Sequence, residues 1–132
     1  MQWDSSLDVG VAAMNQEHQE ILAVMNRIYD LDAQGTHGQP INNLVAELGQ
    51  VCTRHFADEE RYMERIGYPE LDRHRQLHAR LLGQFDQHAQ AIKAAHGRPP
   101  AEFFNFLKFW LSSHIRGIDV KYGSHAGARP AA

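Results

Sequence analysis

The chain has 132 residues and a formal net charge of −3 at neutral pH, with 43% hydrophobic and 22% charged residues. This length and composition fit one soluble globular domain and exclude a disordered or low-complexity chain. The absence of a lysine and arginine cluster argues against a nucleic-acid partner, and no apolar run approaches the roughly 18 residues of a membrane span.

Three further features of the sequence bear on the cellular setting and on chemistry. Cys52 is the single cysteine, so no internal disulfide can form. The N-terminus has neither the basic start nor the apolar stretch of a secretory signal, and we therefore expect a cytoplasmic protein without membrane insertion. Histidine is unusually frequent, with 9 residues. This excess is the first indication of function.

Glycine and proline divide the chain into four segments, clustering at residues 35–40, 67–69 and 97–100, where they mark turns. The segments run approximately over residues 11–34, 40–66, 69–95 and 100–117. In each of them apolar residues recur every three or four positions, which predicts amphipathic helices. Short connections between such helices predict an all-α, up-down-up-down antiparallel four-helix bundle. We expect this domain to cover residues 1–122 and a flexible tail to cover the small residues of 123–132.

Polar residues interrupt the apolar stripe of every predicted helix. A rise of about 1.5 Å per residue places them all at a similar depth, near the end of the bundle where the first helix begins. A buried carboxylate without a cationic or metal partner costs several kcal/mol, so this group indicates a metal site. In chain order the residues are His18, His55, Glu59, His74, His78 and His114.

Asp119 is a seventh candidate, although a regular α-helix would turn it away from His114, five residues earlier. Helical turns of the i+5 kind occur at functional sites and would let this side chain point inward. We therefore predict a loosened, non-α turn around residues 116–119.

At these positions the sequence resembles the hemerythrins, specifically the single-domain bacteriohemerythrins. The resemblance extends from about Trp3 to Tyr122 and rests on five histidines and two carboxylates in a characteristic order and spacing. The matching motifs are His18, His55-Phe-Ala-Asp-Glu59-Glu, Gly67-Tyr-Pro, His74-x-x-x-His78 and Trp110-Leu-Ser-Ser-His114-Ile-x-x-x-Asp119. One departure is the segment Asn15-Gln-Glu17, where the family more usually has Asp first and Gln last. This departure does not change the candidate ligands, but it changes the residues next to His18 that adjust its strength as a metal ligand.

The resemblance implies a cofactor of two iron ions joined by a bridging oxo or hydroxo group. It places His74, His78 and His114 on one iron, His18 and His55 on the other, and Glu59 and Asp119 across both. Eleven of the twelve positions of two octahedra are then filled, and dioxygen would enter the open position on the two-histidine iron. By their place relative to the ligands, we expect the oxygen pocket to be lined by Ile21, Trp110, Leu111, Ile115 and Ile118.

The expected function is reversible dioxygen binding for storage, delivery or scavenging, and not enzymatic catalysis. Dioxygen is the expected ligand, an oxygen-consuming enzyme the candidate partner, and a monomer the expected state. Oxygen, redox or nitric-oxide sensing is one alternative, and a peroxide- or NO-consuming di-iron enzyme is another. A dinuclear zinc hydrolase is also considered, because imidazole and carboxylate suit zinc as well as iron.

Overall fold

The computed structural model describes residues 3–128, which form an all-α, antiparallel four-helix bundle with no strand in that range. A 3-10 turn over Ser5–Leu7 precedes the bundle. The predicted fold class is confirmed. Within residues 3–128 no helix combines the length and apolarity needed to cross a membrane. The elements of the bundle are α1 (Ala12–Ala33), α2 (Gln39–Arg65), α3 (Leu71–Ala94), α4 (Ala101–Phe109), a π-helical segment (Trp110–Asp119) and α5 (Val120–Ala128).

Three of the helices end in the same C-terminal motif, in which a residue with positive φ closes the last turn. After α2, Gly67 has φ of 66° and the amide of Tyr68 donates to the carbonyl of Met63 at 2.9 Å. This pairing satisfies backbone groups that a helix end leaves free, and glycine adopts the required conformation without a steric penalty. Gly35 closes α1 in the same way, whereas His96 takes the left-handed conformation after α3 with φ of 59°. The turns predicted at these positions are therefore present.

The helices pack around a core that is wholly apolar at one end. Helix α2 lies against both α1 and α3. Helix α4 closes the bundle, because Phe104 meets the ring of Tyr29 on α1 and Phe106 meets His88 on α3. We call the end near residues 34–38 and 95–100 the lower end and the opposite end the upper end. Buried side chains of the lower end include Ile28, Ile41, Ile92, Phe103 and Leu107.

The fourth helical region continues further than the sequence predicted. The expected helix ended at residue 117 and the expected tail began at residue 123, but α5 extends to Ala128. Gly123 is buried, and a Cβ atom at this position would overlap the carbonyl oxygen of Val9. This glycine therefore permits close packing of α5 on the N-terminal segment instead of ending a helix. Residues 129–132 of the predicted tail lie outside the described residues.

Candidate metal centre

Seven polar side chains meet in the upper end of the bundle. They are the seven that the sequence singled out as candidate ligands, and each is at most 8% exposed. All four helical regions contribute, so the cluster forms only when the bundle is complete. The residues are His18 from α1, His55 and Glu59 from α2, His74 and His78 from α3, and His114 and Asp119 from the π segment.

Helical geometry explains how each element presents its pair. On α2 and α3 the paired residues are four apart, which places both side chains on one face of an α-helix. His114 and Asp119 are five apart, the spacing that a π-helical turn brings into line. His114 Nε2 consequently lies 3.0 Å from Asp119 Oδ1. The structure confirms the predicted i+5 geometry and extends it from residues 116–119 to the whole of Trp110–Asp119.

The histidines divide into a group of three and a group of two, and Glu59 faces both. Its Oε1 atom lies 3.0 Å from His78 Nε2 and 4.0 Å from His74 Nε2. Its Oε2 atom lies 3.3 Å from both His18 Nε2 and His55 Nε2. One oxygen of this carboxylate is therefore directed to each group.

Asp119 has the same relation to the two groups. Its Oδ1 atom lies 2.9 Å from His74 Nε2 and 3.0 Å from His114 Nε2. Its Oδ2 atom lies 3.2 Å from His18 Nε2. The two sets of donor atoms, which share Glu59 and Asp119, are each compact, with all atoms of a set within 4.8 Å of one another.

The donor atoms of this cluster are better placed to bind a metal ion than to form hydrogen bonds with one another. Within the described part of the chain, several of them are buried without a hydrogen-bond partner, and such atoms cost about 1–3 kcal/mol each. The spacings of 2.9–3.3 Å match adjacent ligands of an octahedral ion with bonds of about 2.1 Å. Imidazole with carboxylate suits iron, zinc, copper and nickel. The unpartnered atoms include His74 Nε2, His78 Nε2, His114 Nε2, Glu59 Oε1 and both carboxylate oxygens of Asp119.

The electrostatics of the cluster favour bound positive charge. Burial opposes ionisation of Glu59, but the positive charge of His55 and hydrogen bonds from His18 and His55 outweigh it and hold the pKa of this carboxyl well below its usual value. Burial likewise opposes protonation of His55, and the carboxylates of Glu59 and Glu17 still raise its pKa to about 10. Burial raises the pKa of Asp119, yet the histidines around it lower the value overall. The carboxylates are thus anionic at neutral pH and attract cations.

Three polar contacts behind the cluster were missed by the sequence analysis. Tyr122 donates its hydroxyl to Glu59 Oε2 at 2.7 Å. Glu17 accepts from His55 Nδ1 at 2.7 Å, although its position beside His18 had suggested that histidine as its partner. Glu60 lies 3.2 Å from His78 Nδ1. Tyr122 follows Asp119 by one helical turn, and this spacing is the signal that could have identified it.

Four of the five residues predicted to line an oxygen pocket are buried, and the fifth is not. Ile118 is half-buried and lies in a surface groove of about 460 Å³ beside His74. Its place in the π segment turns it outward, next to the group of three histidines. The four buried residues are Ile21, Trp110, Leu111 and Ile115.

Phe56 is an apolar neighbour of the cluster that the sequence analysis did not identify. Its ring stacks on His78 with a centroid distance of 4.0 Å and meets Trp110 edge-on at 5.8 Å. Phe56 follows His55 directly, so the signal was an aromatic residue next to a ligand candidate. Cys52 lies near both aromatic rings, and burial raises its pKa to about 12, as expected of an inert thiol.

Comparison with known proteins finds that this chain is similar to hemerythrins in sequence and in structure. The family described as "Hemerythrin HHE cation binding domain" matches residues 9–126. A bacteriohemerythrin of Stenotrophomonas maltophilia is 25% identical over 96% of this chain and 81% of its own length. A hemerythrin-like protein of Naegleria gruberi is 30% identical over 91% of this chain and 88% of its own length. The crystal structure of wild-type hemerythrin superposes with a TM-score of 0.86 at 25% identity, over 97% of this chain and 98% of that one.

Proposed function

The chain belongs to the hemerythrin family, and from this premise we propose that it binds dioxygen reversibly at a centre of two iron ions. The observation that carries the proposal is the division of five buried imidazoles into three and two, with both carboxylates directed to each group. This arrangement provides unequal surroundings for two neighbouring ions. A ligand as small as dioxygen can bind to the ion that has fewer histidines.

We assign the protein ligands by the two groups of donor atoms. His74, His78 and His114 would hold one iron, and His18 and His55 would hold the other. Glu59 and Asp119 would contact both. These residues offer five nitrogen and four oxygen donors, and an oxo or hydroxo group between the two ions would complete the cofactor. The ion held by only two histidines would then have room for an exogenous ligand.

When bound, the iron pair supplies the two electrons that reversible capture of dioxygen requires. The protein side chains keep this chemistry reversible by holding the ions and by excluding water. Ile21, Leu111 and Ile115 are at most 1% exposed, and Trp110 is also buried. A dry apolar surrounding limits the access of protons, which would release reduced oxygen and leave the iron oxidised. This enclosure favours a binding role over an enzymatic one.

The proposed role is storage, delivery or scavenging of dioxygen, with an oxygen-consuming enzyme as the recipient. Sensing would require a partner that responds to the bound gas, and an enzyme would require turnover of peroxide or nitric oxide at the same site. A monomeric state and a cytoplasmic location stay predictions from the sequence.

The deciding experiment is an iron count followed by visible spectra of the reduced protein without oxygen, with oxygen, and after oxygen is removed. We expect two irons per chain and a charge-transfer band that appears and disappears with the gas. Irreversible oxidation without that band would overturn oxygen carriage and favour a sensor or redox enzyme. A chain purified with two zinc ions that does not take up iron would favour the hydrolase.

A further inference from the structure

We propose that Glu17 positions His55 and strengthens it as a donor, so that Glu17 tunes the two-histidine half of the metal centre. This inference rests on the proposed metal centre and extends it to a side chain that touches no ion.

The His55 ring lies between two carboxylates, one on each side. Its Nδ1 atom is 2.7 Å from Glu17 Oε1, and its Nε2 atom is 3.3 Å from Glu59 Oε2. The ring is 2% exposed and Glu17 is 22% exposed, so this hydrogen bond is largely shielded from water. A proton on Nδ1 that is donated to Glu17 leaves the lone pair of Nε2 directed to the centre of the cluster. Glu17 therefore fixes both the tautomer and the orientation of His55.

The corresponding contact in the three-histidine group is weaker because its carboxylate is shared. Glu60 lies 3.2 Å from His78 Nδ1, and its other oxygen lies 3.3 Å from Arg75 Nε. A cation at this distance offsets much of the negative charge of Glu60. Within residues 3–128, by contrast, no lysine or arginine lies within 4.0 Å of the Glu17 carboxylate. The charge of Glu17 therefore acts on His55 without a competing basic partner.

His18, the other histidine of the two-histidine group, has no comparable support. Its Nδ1 atom is buried and has no hydrogen-bond partner among the described residues. The His18 ring meets the ring of His55 edge-on, with 4.5 Å between the ring centroids, so the two rings are direct neighbours. Extra donor strength in this group consequently comes from Glu17 through His55. A carboxylate that accepts from one ring nitrogen raises the basicity of the other and strengthens metal binding there.

The test compares Glu17→Gln, Glu17→Ala and the matched control Glu60→Gln in the full chain loaded with Zn²⁺. Zinc avoids redox chemistry and permits two readouts, chelator competition for affinity and the NMR resonance of each ring Nδ1–H. In the wild type, we expect the Nδ1–H resonance of His55 to lie further downfield than that of His78. Glu17→Ala should weaken Zn²⁺ binding about 10- to 100-fold. Glu17→Gln should weaken it less while moving the His55 resonance upfield, and Glu60→Gln should change affinity least.

Several results would overturn the inference. One is a His55 Nδ1–H resonance in the wild type that matches that of His78, a comparison that needs no variant. Another is equal Zn²⁺ affinity in the wild type and both Glu17 variants, or an equal loss in Glu60→Gln. A wild-type chain that binds neither Zn²⁺ nor iron here would overturn the metal centre as well. Zinc results as expected, with no reversible oxygen band in the iron protein, would overturn the proposed function alone.

Discussion

The two ends of the bundle use the same helices in opposite ways. At the lower end, Ile28, Ile41 and Ile92 are fully buried among other apolar side chains, and burial of each contributes about 1.5–3 kcal/mol. At the upper end, the same four helical regions bury five histidines and two carboxylates, which oppose folding unless they are paired. The lower end therefore stabilises the fold, whereas the upper end is suited to a metal ion. We therefore expect substitution of a candidate ligand at the upper end to change metal binding, and truncation of an apolar side chain at the lower end to change stability alone.

The largest expected effect is loss of the metal in Glu59→Ala. Glu59 directs an oxygen to each group of histidines, so its removal should impair both ion sites at once. In the wild type, a metal at 100 times its Kd adds about 2.7 kcal/mol to the free energy of unfolding. The variant should lose this increment and retain its helices. Iron analysis and thermal unfolding with and without iron measure the two effects.

Glu47→Ala is the matched control, because Glu47 lies on the same helix and is 45% exposed. It should retain two irons per chain. If Glu59→Ala also retained two irons per chain, the assignment of Glu59 as a ligand to both ions would be wrong.

Ile28→Ala should have the opposite pattern. Truncation of a fully buried isoleucine leaves a cavity and lowers the free energy of unfolding by about 2–5 kcal/mol. Because Ile28 lies at the lower end, the iron content of the folded protein should not change. Denaturant unfolding and iron analysis of the same sample test both statements. A variant that lost iron while folded would show that the ends are coupled.

Tyr122→Phe, at the upper end, should lower the free energy of unfolding by a smaller amount. The hydroxyl of Tyr122 donates to Glu59 Oε2, and hydrogen bonds to charged groups contribute about 1.5–3 kcal/mol. We expect a loss of this size in the free energy of unfolding of the metal-free protein, with two irons still bound after loading. Tyr29→Phe is the control, because Tyr29 is 58% exposed. Equal losses in the two variants would contradict a role for the Glu59 contact.

The smallest effect on the free energy of unfolding is expected for a surface ion pair that is part of neither buried region. Arg27 and Glu47 form an ion pair at 3.0 Å, and both side chains are about half exposed. Such pairs contribute about 0–1 kcal/mol and are screened by salt. Glu47→Ala should therefore change the free energy of unfolding by less than about 1 kcal/mol at physiological ionic strength. A larger loss would mean that this contact, and not only the core, holds α1 to α2.

Local spacing was sufficient to predict the bundle and the convergence of its polar residues. Apolar residues three and four apart define one face of a helix, and glycine clusters mark the connections. The pairs His55/Glu59 and His74/His78 follow the same rule, so their common face and depth could be calculated from the helical rise. Whether these residues bind iron stays a prediction, because spacing determines position and does not identify the ion.

Contacts between helices could not be predicted in the same way. Glu17 and His18 are adjacent in sequence, but neighbouring residues on an α-helix point about 100° apart. Glu17 therefore faces α2 and meets His55. Tyr122 lies beyond residue 117, where the sequence predicts the end of the fourth helix, so no helical register predicts its inward position. Gly123 is predicted from its small neighbours to begin a flexible tail, whereas in the structure it provides room for the N-terminal segment.

The π segment makes chain length at this point as important as residue identity. A substitution at the exposed Arg116 or Gly117 alters one side chain and leaves the backbone path unchanged. Insertion of one residue between His114 and Asp119 would instead place them six apart, a spacing that neither an α-helix nor a π-helix aligns on one face. Asp119 and Tyr122 would then leave the cluster together. We infer that, during divergence of related sequences, this stretch accepts exchanges of residues far more readily than insertions.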